Sequence, residues 1–472
     1  LQVVAVLGWA VAGWWLLDRR HGGARSRAGL SRRLRQAFER LGPTYIKLGQ
    51  ILSAGEGIFP DELVTEFRRC RDQVPAEPFA TVRRTVEAEL GPGRFRSLAE
   101  VPVAAASIAQ VHAAVLDSGE EVVVKVQRTR IERLVRQDLA VMGWLAPLLV
   151  GRIPVAALAN PPALVEVFAE TITEELDFRL EADSMLEVAR VLARTGQPGL
   201  VVPRPHPRLV TERVLVMERL DGHRWGDAEG LRDAGIDTAA VLSSLLIAFL
   251  EGLVLFGVFH GDLHAGNLLV RPDQRVALLD FGITGRLDER RRLAFLRLVM
   301  TTASNDVRGQ IAAMRDLGAL RPDADVDAVV RDLGLEGPPV DPTSLDAEQL
   351  TKEIRAVTKA LMAYGAKVPK ELMLFVKDMV FIDGAMATMA PDIDVLAEMT
   401  RILLHLQQQH GERIARDLGM ATGTPFTVDL ASVRGSFGLP EEVESITHRE
   451  IQERRRLVRE RLAGRRRHER PR

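Results

Sequence analysis

Three oxygen-bearing side chains stand at a spacing that suits metal-assisted phosphoryl transfer. Asp262 and Asn267 lie five residues apart in His260-Gly261-Asp262-Leu263-His264-Ala265-Gly266-Asn267, and Asp280 follows thirteen residues later in Asp280-Phe281-Gly282. Cleaving the γ-phosphoryl bond of ATP needs a divalent cation held against the phosphates, and Mg²⁺ prefers carboxylate and amide oxygens. The pair His260 and His264 could instead suggest zinc. Zinc would want a third strong ligand nearby and usually one helix carrying both histidines. Gly261, Gly266 and the flanking strand patterns make this segment a loop. The ordered set therefore points to a catalytic aspartate at Asp262 and metal ligands at Asn267 and Asp280, the arrangement of a kinase catalytic loop and its D-F-G.

Such a site also needs a lysine for the phosphates. Of the 63 basic residues only 7 are lysines, and only Lys47 and Lys125 fall within residues 1–351. An arginine-rich chain that keeps a lysine has a reason for the compact point charge. Lys125 ends the valine-rich run Glu121-Val122-Val123-Val124-Lys125-Val126, where kinases carry the lysine of V-A-I-K. Its carboxylate partner is expected in the acidic helical pattern at residues 174–183. Glu174, Asp177 and Glu181 share one face there, and spacing alone does not choose among them. No G-x-G-x-x-G precedes the hairpin. Val103-Ala104-Ala105-Ala106-Ser107 takes its place, and alanine lacks glycine's freedom at positive φ, so Ala104, Ala105, Ala106 and Ser107 form a stiffer candidate nucleotide-binding loop. No A-P-E follows D-F-G, so the platform that docks a peptide in ordinary kinases is not expected.

The elements that must position these residues read as a few strands followed by many helices. Residues 109–126 alternate as a hairpin around Asp117-Ser118-Gly119, and Arg213–Leu220 is a further strand. Helical patterns run from about residue 223 to His410, broken by a strand–loop–strand unit ahead of D-F-G. The fold class expected is α+β, bilobal and protein-kinase-like, with a small β-rich N-lobe, a larger helical C-lobe and an N-terminal helical extension. The boundaries read as 1–30 for an apolar membrane anchor with a basic flank, 31–100 for the extension, 101–222 for the N-lobe, 223–410 for the C-lobe and 411–472 for a basic tail.

With 46% hydrophobic and 27% charged residues, the chain is neither disordered nor wholly membrane-embedded. A single cysteine, Cys70, excludes an internal disulfide framework and suits a reducing compartment. Leu1–Leu17 is apolar with three tryptophans, slightly short of the ~20 residues of a membrane span. It begins without an initiator Met, so its full length is not set by this sequence. Seven arginines between Arg19 and Arg35 mark a cytoplasmic flank. From Arg449 the last 24 residues hold 11 arginines and 4 glutamates, a net charge of +7. Such a tail is either a solvated helix or one attracted to anionic lipid. It lacks the interleaved aromatics of a nucleic-acid binder, so no nucleic acid is expected.

Taken together these motifs resemble the UbiB family, also called the AarF or ADCK group of atypical protein-kinase-like proteins, from about Arg35 to Leu403. The resemblance is carried by the alanine-rich AAAS, by K-x-G-Q within Gly42-Pro43-Thr44-Tyr45-Ile46-Lys47-Leu48-Gly49-Gln50, by Glu175-Leu176-Asp177-Phe178-Arg179-Leu180-Glu181-Ala182, and by V-M-E-R-L-D-G, H-G-D-L-H-A-G-N and D-F-G in family order. Ser184 stands where the family commonly has Asn. The resemblance implies that Lys125 pairs with Glu181. It also implies that Lys47 and Gln50 lie on an extension folded over the site, with Lys47 facing Glu175 and Asp177. It further implies Mg²⁺ with ATP or ADP as cofactors, and membrane lipid and a quinone precursor as partners. The place of action would be the cytoplasmic face of the membrane, with a membrane-enzyme complex or a homodimer left open. Family members look like ATPases or unorthodox kinases supporting isoprenoid-quinone biosynthesis or lipid handling. The alternatives are a small-molecule kinase, which would share H-G-D-x-H-x-x-N but lack K-x-G-Q and AAAS, and a nucleotide-dependent scaffold without catalysis.

Overall fold

The structure is a computed structural model, and it describes residues 2–54, 60–70, 75–149, 161–336, 349, 364–366, 369–420 and 443–468. The chain forms two compact units. One comprises residues 1–187, 202–221 and 278–283, the other residues 188–201, 222–277 and 284–472.

The first unit opens with helices α1 (Gln2–Gly13), α2 (Gly23–Leu41), α3 (Pro43–Ala54), α4 (Asp61–Phe67) and α5 (Phe79–Leu90). Prolines set several of these starts. Pro43 is the first residue of α3, while Pro60 and Pro78 directly precede α4 and α5, positions where a missing N–H breaks no helical bond. The apolar run ends in a π-helical turn at Trp14–Asp18, and α1 packs on α2. Trp14 Nε1 donates to the Ser26 carbonyl and hydroxyl, both at 3.0 Å. The basic flank is largely answered inside the protein: Asp18 takes Arg33 at 2.6 Å and Arg32 at 3.4 Å, Arg27 reaches Glu62 and Arg35 reaches Glu39.

The chain then lays down β1 (Phe95–Leu98), β2 (Ala104–Ala105), β3 (Ala109–Leu116) and β4 (Glu121–Gln127), followed by α6 (Ile131–Leu149), α7 (Pro161–Glu174) and α8 (Phe178–Thr195). After β5 (Leu200–Val201), which belongs to the second unit, β6 (Pro205–Val210) and β7 (Val214–Glu218) complete the sheet. Its order is β1-β3-β4-β7-β6, with β2 pairing β3. The β3–β4 register runs from Ala109↔Gln127 to Val115↔Glu121, and Gly119 turns the hairpin at φ +89°, a conformation that favours glycine. Strand alternation sends Val122, Val124 and Val126 to one face, where they pack with Val214 and Val216 against Val82, Val86 and Leu90 of α5. Each such burial stabilises by ~1.5–3 kcal/mol. The same alternation turns Lys125 and Gln127 to the opposite face.

In the second unit, β8 (His223–Arg224), α9 (Ala228–Asp233) and α10 (Thr238–Glu251) precede β9 (Val258–His260), β10 (Leu268–Val270), β11 (Val276–Leu278) and β12 (Thr284–Arg286). One sheet has the order β5-β11-β10-β8, and β12 pairs with β9. Helices α11 (Glu289–Ala303), α12 (Val307–Asp316), α13 (Val326–Asp332), α14 (Lys370–Met389), α15 (Val395–Asp417) and α16 (His448–His468) follow. Asp237, Asp288, Asp306, Asp325 and Asp394 cap α10, α11, α12, α13 and α15, each accepting from backbone N–H groups of the first turn. Such caps stabilise by ~1 kcal/mol each. Among the described residues, Thr238–Phe256 is the one helix long and apolar enough to cross a membrane, but 72% of it is buried inside the protein, so it is the core helix of this unit.

The start of the basic tail is docked rather than solvated on all sides. His448, Gln452 and Arg455 of α16 converge on Asp383 of α14 at 2.7–3.1 Å. Residues 421–442 and 469–472 of the expected 411–472 segment lie outside the described residues.

Candidate active site

The first unit gathers the lysine and its acids. Lys125 Nζ donates to both Glu181 oxygens at 2.7 and 2.9 Å and to Asp280 Oδ2 at 3.1 Å. Glu181 lies in the first turn of α8, where the helix dipole favours a carboxylate, and its Oε1 accepts from the Phe281 N–H at 3.4 Å. Phe178, which starts α8, sets its ring 5.3 Å from the ammonium. The choice among Glu174, Asp177 and Glu181 is thus made by geometry. Asp177 accepts from the Arg179 side chain at 2.9 and 2.7 Å and from its N–H at 3.0 Å.

Burial works against charge on Lys125, but Asp280 and Glu181 outweigh it and raise its pKa, so the ammonium persists. Glu181 is pushed up to about 7, first by burial and further by the like charge of Asp280, with Lys125 opposing. In such a coupled pair the lysine proton is the firmer of the two, because two acids face one amine.

Asp280 Oδ1 accepts from Gly282 N–H at 3.0 Å. A Cβ on Gly282 would come within 3.2 Å of that oxygen and 3.3 Å of Glu175 Cγ, so the glycine of D-F-G is set by close approach. Glu175, buried at the end of the α7 region, pairs with Lys47 of α3 at 2.9 Å. The K-x-G-Q helix therefore reaches the D-F-G segment through one carboxylate. Gln50 lies on the same helix, half-buried. Ala104 and Ala105 form β2, paired with Val111 and Gln110. Ala106 accepts from Arg128 Nε at 2.9 Å through its carbonyl, and Ser107 is buried.

The second unit builds the loop from His260 to Asn267 between β9 and β10. His260 Nδ1 accepts from the Asp262 N–H at 3.1 Å, and Asn267 Nδ2 donates to the Asp262 carbonyl at 3.1 Å. That bond leaves the Asn267 oxygen as the amide atom suited to a cation. Oxygens on Asn267 and Asp280 are the hard donors that Mg²⁺ requires, so the residue types fit the metal. His264 accepts from Gly266 N–H within the loop at 3.1 Å, which accounts for it without zinc.

Two residues of α14 complete this loop and are not signalled by local spacing. Lys377 Nζ pairs with Asp262 Oδ1. Asp378, fully buried, accepts from the Leu263 N–H at 2.9 Å. Burial holds Asp378 well above the usual carboxylate range, with Lys377 and that N–H opposing. The scarcity of lysine could have pointed to Lys377, one of seven in the chain.

Comparison with known proteins places the chain in a family. Residues 69–314, more than half of it, match the ABC1 atypical kinase-like domain. The chain belongs to the ABC1 atypical kinase-like family, the UbiB/AarF group, and its fold is the α+β kinase-like fold with an N-terminal helical extension. An uncharacterized protein of Mycobacterium tuberculosis is 38% identical over 376 residues, covering 77% of this chain and 76% of that protein. An uncharacterized chloroplastic aarF domain-containing protein kinase of Arabidopsis thaliana is 30% identical over 393 residues, covering 77% and 73%. A probable protein kinase UbiB of Marinobacter nauticus is 30% identical over 371 residues, covering 77% and 67%.

Proposed function

We propose that this chain is a membrane-associated atypical kinase or ATPase that binds Mg-ATP and hydrolyses or transfers its γ-phosphoryl group in support of isoprenoid-quinone biosynthesis or lipid homeostasis. The observation that carries the reading is the buried ammonium of Lys125 held between Glu181 and Asp280. A fixed positive charge of this kind serves to bind and orient phosphate oxygens. Bound Mg²⁺ would neutralise charge on the phosphates, with Asn267 and Asp280 as its protein ligands. Asp262 would orient the attacking hydroxyl or water, and His260 and Lys377 support its position.

Membrane association rests on α1 and the π-helical turn that follows it, where Trp9 of the helix and Trp15, Leu16 and Leu17 of the turn are exposed, 79% for Trp9. An apolar helix of this length suits lying in the interface with tryptophans at headgroup level. The Lys47–Glu175 pair ties the helical extension to D-F-G, and this favours water or a lipid-borne hydroxyl over a protein as acceptor.

The test is phosphate release from Mg-ATP by the purified chain, with and without anionic vesicles and a phenolic quinone precursor. Turnover should rise with vesicles or phenol and fall at least ~100-fold in Asp280→Asn. Equal turnover in that variant would overturn the reading. Thermal stabilisation by nucleotide with no turnover under any condition would replace it with the scaffold.

A further inference from the structure

We infer that Glu251, His405 and His410 form a zinc site that pins α15 to the buried helix α10, separate from the Mg²⁺ ligands. Glu251 is the last residue of α10, and its side chain is 1% exposed. His405 Nε2 and His410 Nε2, both from α15, approach the same carboxylate atom, Glu251 Oε1, at 2.7 and 2.9 Å. The three ligand atoms all lie within 4.8 Å of one another.

The second observation is the other carboxylate oxygen. Glu251 Oε2 is buried and has no hydrogen-bond partner among the described residues. A carboxylate at the end of an apolar core helix should be fully answered, because burying an unpaired acceptor is costly. No arginine or lysine pairs with it among the described residues. The nearby Arg413 turns instead to the Leu255 carbonyl and the Phe256 ring, and Arg292 takes Asp417. Two imidazoles on one oxygen with the other idle is a poor hydrogen-bond arrangement. It is a good start for a cation, which would draw on both nitrogens and the carboxylate together.

The donor set decides the metal. Two imidazole nitrogens and one carboxylate suit Zn²⁺, whereas Mg²⁺ and Ca²⁺ want oxygen alone. Tetrahedral zinc at ~2.0–2.1 Å from each ligand separates the donors by about 3.3 Å. The observed separations from Oε1, 2.7 and 2.9 Å, are about half an ångström shorter, within side-chain adjustment. Three protein ligands leave a fourth position for water. His405 and His410 are 30% and 16% exposed, which gives the ion a path in from solvent. Their i, i+5 spacing does not share one helical stripe, which hides the site from a sequence pattern. Only the carboxylate from another helix, set between the rings, brings them together.

The experiment uses the full chain, stripped with a chelator and titrated with Zn²⁺ or Co²⁺ alone, beside His405→Ala and the His405→Ala/His410→Ala double variant. The expected result is one equivalent of Zn²⁺ in the wild type, a rise of roughly 3–8 °C in Tm on loading, and a four-coordinate visible absorption with Co²⁺. Affinity should fall about 100-fold in the single variant, and the Tm rise should vanish in the double variant. Because both histidines are partly exposed, the variants should fold, which their metal-free melts would verify. No stoichiometric zinc in the wild type, or equal zinc affinity and Tm rise in the double variant, would overturn the proposal and leave two histidines hydrogen-bonded to a buried acid.

Discussion

Lys125 and Lys377 each grip an aspartate of a kinase-like motif, yet their surroundings differ in kind. Lys125 is sealed among two carboxylates and an aromatic ring, with 9% of its side chain exposed. Lys377 is 24% exposed, and its partner Asp262 is 17% exposed. The first is a buried charge cluster in which each member depends on the others. The second is a surface-accessible tether on a loop whose backbone is already held by His260, Asn267 and Asp378. The contrast teaches that the first lysine holds its surroundings together, whatever it does for a nucleotide, while the second adjusts a loop that stands without it.

The sharpest way to break that comparison is to remove the two amines in turn. Lys125→Met leaves Glu181 buried without its cation and should destabilise the protein by ~3–5 kcal/mol as well as abolish turnover. A denaturant melt beside phosphate release reads both. Lys377→Met should cost ~1 kcal/mol or less but lower kcat about 10-fold with the KM for ATP unchanged, because it positions Asp262 and not the nucleotide. Equal destabilisation by the two substitutions would erase the distinction.

A smaller effect should come from Gly282→Ala. The added methyl sits 3.2–3.3 Å from Asp280 and Glu175, so these side chains must give by a few tenths of an ångström. The expected cost is ~1 kcal/mol, seen in Tm. If the Lys47–Glu175 pair does couple the extension to D-F-G, the loss should shrink in a Lys47→Met background, as a double-mutant cycle would show.

The smallest effect concerns the tail. At Asp383 burial favours the neutral acid, but Arg455, His448 and Gln452 outweigh it and hold the pKa below its usual 3.8. A depressed carboxylate contributes stability that is complete above that value and lost as pH falls through the folded pKa. The docking of α16 should therefore weaken below about pH 4. Asp383→Asn should flatten that part of the stability–pH curve and expose α16 to limited proteolysis at neutral pH.

How much of this was legible beforehand follows from how local each signal is. The β3–β4 hairpin, the loop from His260 to Asn267 and the position of Lys125 are all written within windows of about twenty residues, where alternation and turn chemistry suffice. Glu181 needed more. Spacing left three acids on one face, and only family resemblance pointed to Glu181 before the structure placed it 2.7 Å from Lys125. Lys377 and Asp378 lie 115 residues from the groups they bond, and no period in the sequence connects them. The arginines after the apolar run read as a free basic flank, but several meet acids on α2, α4 and the turn at Asp18. Likewise the tail reads as charge on every side, since nothing near it in sequence announces Asp383.

The enclosure of Lys125 also has a chemical consequence. Amine-directed acylating reagents act on the unprotonated amine, and two acids facing one lysine hold that form to a trace. In a chain with only seven lysines, the peptide that contains Lys125 can be followed on its own by mass spectrometry. Whatever draws Asp280 away from the amine removes one of the two charges that keep it protonated and registers as faster acylation of that single residue. The scarcity of lysine thereby turns an internal ion pair into a reporter that is read at one peptide.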